Sequence, residues 1–298
     1  MNTTALLIGL GPLLGWGLYP TIVSKIGGRP ANQILGSTIG TLIFAIVFAS
    51  VKGLALPHGM DLFLSILSGI GWAFGQLLSF YSFTLVGSSI TMPITTAFQL
   101  LGASLWGVFY LGNWPGTTAK IIGGLALVVI ILGAYLSVWT EKKTTENSSL
   151  VRKATIALAI GEIGFWGYSA APQASTIDGM HAFLPQAIGM LLAAIGYTAW
   201  VTLRGKKVNL ASPFIEAVSY KHIFPGFFFA FAALTYLISA QPNMNGLATG
   251  FILSQTSVVL ATLTGIWFLG QKKTKKEMRV TLIGLALILI AAAVTVAL

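Results

Sequence analysis

The sequence predicts an all-α integral membrane protein of ten transmembrane helices arranged as two inverted five-helix repeats, and three observations predict it. Of 298 residues, 55% are hydrophobic and only 8% are charged, and the mean hydropathy of +0.85 lies far above that of a soluble globular domain. Windows of about 20 residues, the length that crosses a bilayer, resolve ten apolar segments. Beyond a polar linker at 141–153 the order of sequence features repeats itself.

The ten segments run over 4–26, 32–51, 61–85, 90–111, 118–140, 153–172, 182–203, 223–240, 246–269 and 278–297. The loops between them are too short for a soluble domain, so function must be built from the helices themselves, which excludes most enzymes. The first segment carries Gly9, Gly11, Pro12, Gly15, Gly17 and Pro20. It is expected to kink and to pack closely, because small residues let backbones approach and proline frees a carbonyl. Trp16 and Tyr19 lie on it, placed either to stack on a sugar ring or to anchor and pack the helix. In the second segment, Asn32 and Gln33 open the first turn, and Gly36 and Gly40 have a close-packing spacing. The third holds Trp72, Gln76, Ser79 and Tyr81, with Gln76 deep enough to need a partner. The fourth, GSSITMPITTAFQLLGASLWGVFYLG at 87–112, is uncharged and hydroxyl-rich, with Thr95 and a central Gln99.

The linker EKKTTENSSLVRK divides the chain into residues 1–140, 141–152 and 153–298. After it, FWG at 165–167, with Trp166, answers GWG at 15–17. Pro172 answers Pro20, LPQAIG at 184–189, with Gln186, answers ANQILG at 31–36, and GLAL at 284–287 answers GLAL at 124–127. Preserved order over so long a stretch argues for two related halves. Five is odd, so the second half crosses the membrane in the opposite sense, an arrangement typical of secondary transporters with a site near the midplane.

Two further features bear on function. The stretch QPNMNGLATGFILSQTSVVLATLTGIWFLG at 241–270 matches the fourth segment in character and ending, and Asn245, Thr249, Gln255, Thr256 and Thr262 gather along a helical stripe. Unpaired in lipid, such groups would cost several kcal/mol each, so the stripe must face other helices or a wet cavity. Two matching uncharged polar helices suggest a neutral, hydroxyl-rich ligand between the halves. Glu162, near the middle of the sixth segment, is the one acid deep within a span. A charge there costs at least about 2.5–3.5 kcal/mol, which leaves proton coupling, substrate binding or a structural polar contact as its roles.

The formal net charge of +10 is segregated, with 15 of 17 basic residues in odd-numbered loops and only Lys52 and Lys120 in even-numbered ones. By the positive-inside rule the odd loops are cytoplasmic and both termini external, and nucleic acid is not an expected partner. The start Met1-Asn2-Thr3-Thr4 lacks the basic residues of a signal peptide, so the first segment is expected to be retained. There are no cysteines, and no metal-ligand spacing occurs.

GLGPLLGWGLYP, GGRPANQILG, MPITTAFQLLGASLWG, APQAS and QPNMNGLATGFILSQTSVV resemble the glucose/ribose porter family of bacterial ribose uptake proteins, within the drug/metabolite transporter superfamily, and the likeness runs through nearly the whole chain. The resemblance implies ten helices in two repeats and import of a monosaccharide, ribose first and glucose second, across the bacterial cytoplasmic membrane by proton symport with alternating access. It implies a small-molecule sugar and protons as partners within the bilayer, and no metal or cofactor. In this reading Glu162 carries the proton, while Gln99, Gln255, Gln76, Asn245, Thr95, Thr256, Gln186, Trp16 and Trp166 contact the sugar; amides suit it because each hydroxyl both donates and accepts. An exporter of drugs or metabolites, and a membrane receptor or scaffold that binds without transporting, remain open.

Overall fold

The computed structural model describes the backbone of residues 3–109, 112, 114, 116–141, 145–205, 210–241 and 244–298, and the side chains of all of these except 145, 146, 170, 172, 173, 246–249 and 252. Leu111, at the end of the fourth expected segment, lies outside the described residues. So do the side chains of Pro172 and Thr249.

The described residues form helices only, joined by turns and short loops. They are α1 (Thr3–Gly9), α2 (Gly11–Ile26), α3 (Pro30–Lys52), α4 (Gly59–Val86), α5 (Ser88–Phe109), α6 (Gly116–Ser137), α7 (Thr145–Ala170), α8 (Gly179–Gly205), α9 (Ala217–Lys221), α10 (Ile223–Ser239), α11 (Gly246–Gln255), α12 (Ser257–Phe268) and α13 (Lys275–Ala297). Joined end to end, α1 with α2, α9 with α10 and α11 with α12, they make the ten helical segments expected. Eight of the ten are long and apolar enough to cross a membrane. The other two are α7, which carries Glu162, and the broken pair α11 and α12.

The breaks have local causes. Leu10 separates α1 from α2, where Gly9 and Gly11 flank it and Pro12 at the start of α2 has no N–H to extend the earlier helix. Pro20 sits inside α2 and leaves the carbonyl of Trp16 without its helical donor. The α11–α12 break falls at Thr256, whose amide turns back to Leu253 O (3.3 Å) and whose hydroxyl donates to the same carbonyl (2.6 Å). The polar seam therefore lies on an interrupted helix. At α13, Thr274 Oγ1 accepts from Glu277 N (3.1 Å) while the Glu277 carboxylate accepts from Thr274 N (2.9 Å), a reciprocal cap that starts the last span.

Packing follows the glycines. The helix α4 lies mainly against α7 and α8, and α10 lies mainly against α2 and α3. A Cβ on Gly69 would run into the Gln186 carbonyl and one on Gly189 into the Ile66 carbonyl, so α4 and α8 touch backbone to backbone. Gly36 against the Ser219 carbonyl and Gly226 against the Ser37 carbonyl do the same between α3 and the α9–α10 pair. Further contacts join α3 to α8, α5 to α12 and α6 to α13. One apolar core is centred on Tyr19, Trp72, Phe80, Phe183 and Phe229; a second, around Leu100, Ile130 and Ile288, binds α5, α6 and α13.

Candidate functional site

The kinked α2 brings two aromatic rings, three residues apart and hence on one face, into the centre of the bundle. The Trp16 ring lies 6.2 Å from Phe229 and 5.8 Å from Tyr236, both on α10, and Tyr19 lies 5.8 Å from Phe229 and 6.1 Å from Phe80 on α4. Trp72 of α4 closes the cluster at 4.2 Å from Phe229. Tyr168 of α7 packs against the same cluster. Rings from α2, α4, α7 and α10 therefore meet in one packed aromatic cluster, called the aromatic chamber below.

Its polar atoms are unusual. Trp16 Nε1 and the hydroxyls of Tyr19 and Tyr168 are buried without a hydrogen-bond partner among the described residues, as is Gln186 Oε1 on α8. Tyr19 and Ser37 face one another, outside hydrogen-bond geometry. Leaving a buried donor or acceptor unpaired costs about 1–3 kcal/mol, and native proteins leave few. The Gln186 amide itself is held in place: Nε2 donates to Ser68 Oγ (3.2 Å), which donates to the Tyr168 carbonyl (2.8 Å), tying α8, α4 and α7 together. This chain fixes the amide and leaves its acceptor oxygen unused. Gln76 of α4 is also buried.

Glu162 is 2% exposed, and neither carboxyl oxygen makes a hydrogen bond of good geometry among the described residues. The Trp166 indole, one turn on, approaches the carboxyl without reaching that geometry. Trp166 itself packs over Gly102 of α5 and is 46% exposed. Since α7 runs antiparallel to α4 and α4 antiparallel to α5, Glu162 stands on the α5-facing side at about the level of Gln99, one turn before Gly102.

The other residues expected at the site are spread along the second pair of polar helices. Thr95, on α5, is buried with an unpartnered hydroxyl, and Gln99 is half-buried. Gln255 is buried at the end of α11 and donates to Ser254 Oγ (3.3 Å), directly before Thr256 at the helix break. Asn245 donates to the Ala5 carbonyl (2.6 Å) and to Ser239 Oγ (2.9 Å), so its amide joins α1, α10 and α11. Trp16 thus belongs to the aromatic cluster, Gln76 lies one turn after Trp72 on α4, Gln186 is tied to Ser68 on the same helix, and no hydrogen bond joins Gln99 to Gln255 among the described residues.

The rings of Trp72, Tyr168, Phe229 and Tyr236 were not singled out from sequence as site residues. A signal for two of them existed: GIGWAF at 69–74 and GFFFAF at 226–231 share Gly, Ala and Phe at matching places, with Trp72 opposite Phe229. Two grooves of about 300 Å³ lie elsewhere, on the outer surface. One is lined by Leu18, Ile22, Lys25 and Phe268, the other by Phe44, Phe48 and Phe227, and both are almost wholly apolar. No group of three acids or histidines that could hold a metal occurs among the described residues.

A family model described as "Sugar transport protein" matches residues 7–298. The chain belongs to the sugar transport protein family. Proteins named "Putative ribose uptake protein RbsU" are 71% identical to it in Enterococcus faecalis and in Lactiplantibacillus plantarum and 61% identical in Staphylococcus aureus, each over 99% of both chains. The family is one of transporters, which accords with the expectation of a multi-pass membrane protein without catalytic activity. A crystal structure 18% identical in sequence covers 99% of each chain with a TM-score of 0.61, which shows a shared fold.

Proposed function

We propose that the chain imports a monosaccharide, ribose first and glucose second, into the bacterial cell by proton-coupled alternating access. The observation that carries this reading is the buried aromatic cluster, whose rings lie beside donors and acceptors without partners among the described residues. A sugar ring offers apolar C–H faces to aromatic rings and hydroxyls that both donate and accept. A cationic or anionic substrate would call for a buried counter-charge, and the chamber has none. The relatives' names point to ribose within the class of neutral polyols.

Residues 1–140 and 153–298 are read as two inverted halves, joined by a cytoplasmic linker at 141–152. The packing supports this, because exchanging the halves turns α4 against α7 and α8 into α10 against α2 and α3, while the pairs α3–α8, α5–α12 and α6–α13 map onto themselves. The sequence offset between matched motifs grows steadily, from 150 at GWG and FWG through 157 at Gly69 and Gly226 to 160 at the two GLAL motifs, as small insertions in the second half would produce. Trp72 and Phe229 then face each other across the axis relating the halves, the place where such transporters bind substrate. Trp16, Gln76 and Gln186 contact the sugar there, and Glu162 carries the proton at the α5–α7 interface. Gln99, Thr95, Gln255, Thr256, Asn245 and Trp166 form the outlying part of the pathway.

Purified protein in liposomes tests the reading directly. Labelled ribose is expected to accumulate under an inward proton gradient, to be displaced by excess glucose less well than by ribose, and to leak out when a protonophore is added. Binding without uptake would make the chain a receptor, and extrusion of unrelated solutes would make it an exporter.

A further inference from the structure

Two acid-centred clusters lie at opposite ends of the bundle, and each ties a loop of one half to the start of a helix of the other. At one end Glu216, the N-cap of α9, accepts from Arg29 Nη2 (2.7 Å) and from Asn32 Nδ2 (2.5 Å) at the start of α3. Arg29 also donates to the Ala211 carbonyl (2.7 Å), and Asn32 to Ser219 Oγ (2.9 Å). At the other end Asp61, in the first turn of α4, accepts from Ser175 Oγ (2.8 Å), Thr176 N (2.9 Å) and Thr176 Oγ1 (2.7 Å). The two sites are separated by the length of α3, 23 residues or about 35 Å.

Their places in the chain correspond. Asp61 opens the third segment of the first half and Glu216 the third segment of the second, near the offset that pairs Gly69 with Gly226. Ser175 and Thr176 lie between the first two segments of the second half, and Arg29 lies between the first two of the first half. Exchanging the halves thus carries one cluster onto the other and moves it to the opposite end.

We infer that these clusters are the two gates of the transport cycle, Asp61 locking the outer end and Glu216 the inner end. The inference rests on the alternating-access reading above. Charge-assisted hydrogen bonds to a carboxylate are roughly twice as strong as neutral ones, so each acid is the main fastening of its cluster. The Ser175 and Thr176 donors hold Asp61 ionised at the start of the long helix α4, and the Arg29 guanidinium does so for Glu216. The glycine contacts between α4 and α8 and between α3 and α10 lie just behind the two locks and supply close-packed faces on which the segments can slide. Both locks are closed in this structure. Transport requires them to open one at a time, and substrate in the aromatic chamber is shielded from both sides between those events.

The cysteine-free chain permits a direct test by spin-label distances. An outer pair, Met60→Cys with Ala174→Cys, and an inner pair, Lys25→Cys with Ile215→Cys, use residues that belong to neither cluster. Asp61→Asn is expected to lengthen the outer distance alone, and Glu216→Gln the inner distance alone, each raising the open-to-closed ratio of its end by roughly tenfold. Arg29→Lys, which keeps the charge but loses the fork that spans Glu216 and Ala211, is expected to act as a milder inner variant. Combining Asp61→Asn with Glu216→Gln should return the balance between the ends toward that of the parent. If ribose makes the parent distances exchange reciprocally and neither acid substitution shifts them, the gates lie elsewhere while alternating access stands. If the parent distances never exchange, the transport cycle itself is wrong. Lengthening of both pairs by a single substitution would mark general loosening and overturn the assignment.

Discussion

Trp72 and Phe229 meet ring to ring, with centroids 4.2 Å apart and an interplanar angle of 37°, at matching places in GIGWAF and GFFFAF. Glycines three residues earlier, Gly69 and Gly226, let α4 and α10 come close to α8 and α3, which brings both rings inward. Sequence, packing and site converge at this contact. Such a pair contributes about 0.5–1.5 kcal/mol beyond its burial, and truncating a buried Trp to Ala costs about 3–5 kcal/mol. Trp72→Ala is therefore expected to lower the melting temperature of the purified protein and to abolish uptake together. Trp72→Phe keeps a ring against Phe229 and is expected to hold the melting temperature while weakening ribose affinity several-fold. Full affinity in Trp72→Phe would remove the indole from the sugar site.

Glu162 offers a test that separates coupling from transport. Gln keeps the shape of the carboxyl but cannot ionise, so Glu162→Gln is expected to abolish gradient-driven accumulation while equilibrative ribose exchange continues. The assay compares uptake with and without a proton gradient in the same liposomes. Accumulation unchanged from the parent would take Glu162 out of proton coupling.

Lys273, in the loop before α13, predicts a pH dependence of stability. Its ammonium donates to the Ser137 carbonyl (2.7 Å) and Thr281 Oγ1 (2.6 Å), and burial pushes its pKa down to about 8 despite the opposing charge of Glu277. The unfolded chain binds this proton up to about pH 10.4, so between that value and 8 the folded protein holds fewer protons than the unfolded one. Stability at this site is then greatest above the unfolded value and is lost as pH falls through about 8. Melting temperature in detergent should accordingly rise with pH across that window, and Lys273→Met should flatten the rise. An equal slope in the two proteins would assign the pH dependence to other groups.

How much of this was legible in the sequence depended on which physical signal each feature left. Ten segments were legible because long apolar runs stand out by length and hydropathy, whereas the reciprocal cap of Thr274 and Glu277 that starts α13 was not read from the sequence. The breaks at Leu10 and Thr256 were less so. Glycine and proline foretold the first, but Thr256 interrupts its helix through a side-chain bond to Leu253 that composition does not reveal. Trp16, Gln76 and Gln186 stood out as polar or amphipathic groups in apolar runs. Phe229 did not, because one phenylalanine among FFFAF carries no sign of which ring faces the centre. The Arg29–Glu216 contact spans 187 positions in the chain. Nothing local marks either residue as the other's partner.

The orientation expected from the segregated basic residues can be read by labelling. Ser148→Cys, within the polar linker and in the first turn of α7, is expected to resist an impermeant thiol reagent in intact cells and to react once the membrane is permeabilised. Ready reaction in intact cells would place the linker outside and reverse both termini.

Gln255 poses the sharpest choice between binding and packing. It stands at the break between α11 and α12, where the backbone is already irregular, and its one described side-chain bond is a 3.3 Å contact to its neighbour Ser254. A residue that ties helices together would spend its amide on another helix, as Asn245 does toward Ala5 and Ser239. Interhelical hydrogen bonds in membranes average only about 0.6 kcal/mol, so loss of a purely structural amide shows chiefly in stability. Loss of an amide that meets a buried sugar hydroxyl leaves that hydroxyl unpaired, at about 1–3 kcal/mol. Gln255→Ala is thus expected to weaken ribose binding by roughly five- to 150-fold with little change in melting temperature, and Gln99→Ala to do the same if both polar helices serve one site. Calorimetric titration and thermal unfolding on the same preparation separate the two quantities. A Gln255→Ala protein with normal ribose affinity and a lowered melting temperature would return this residue to helix packing and confine the sugar to the aromatic chamber.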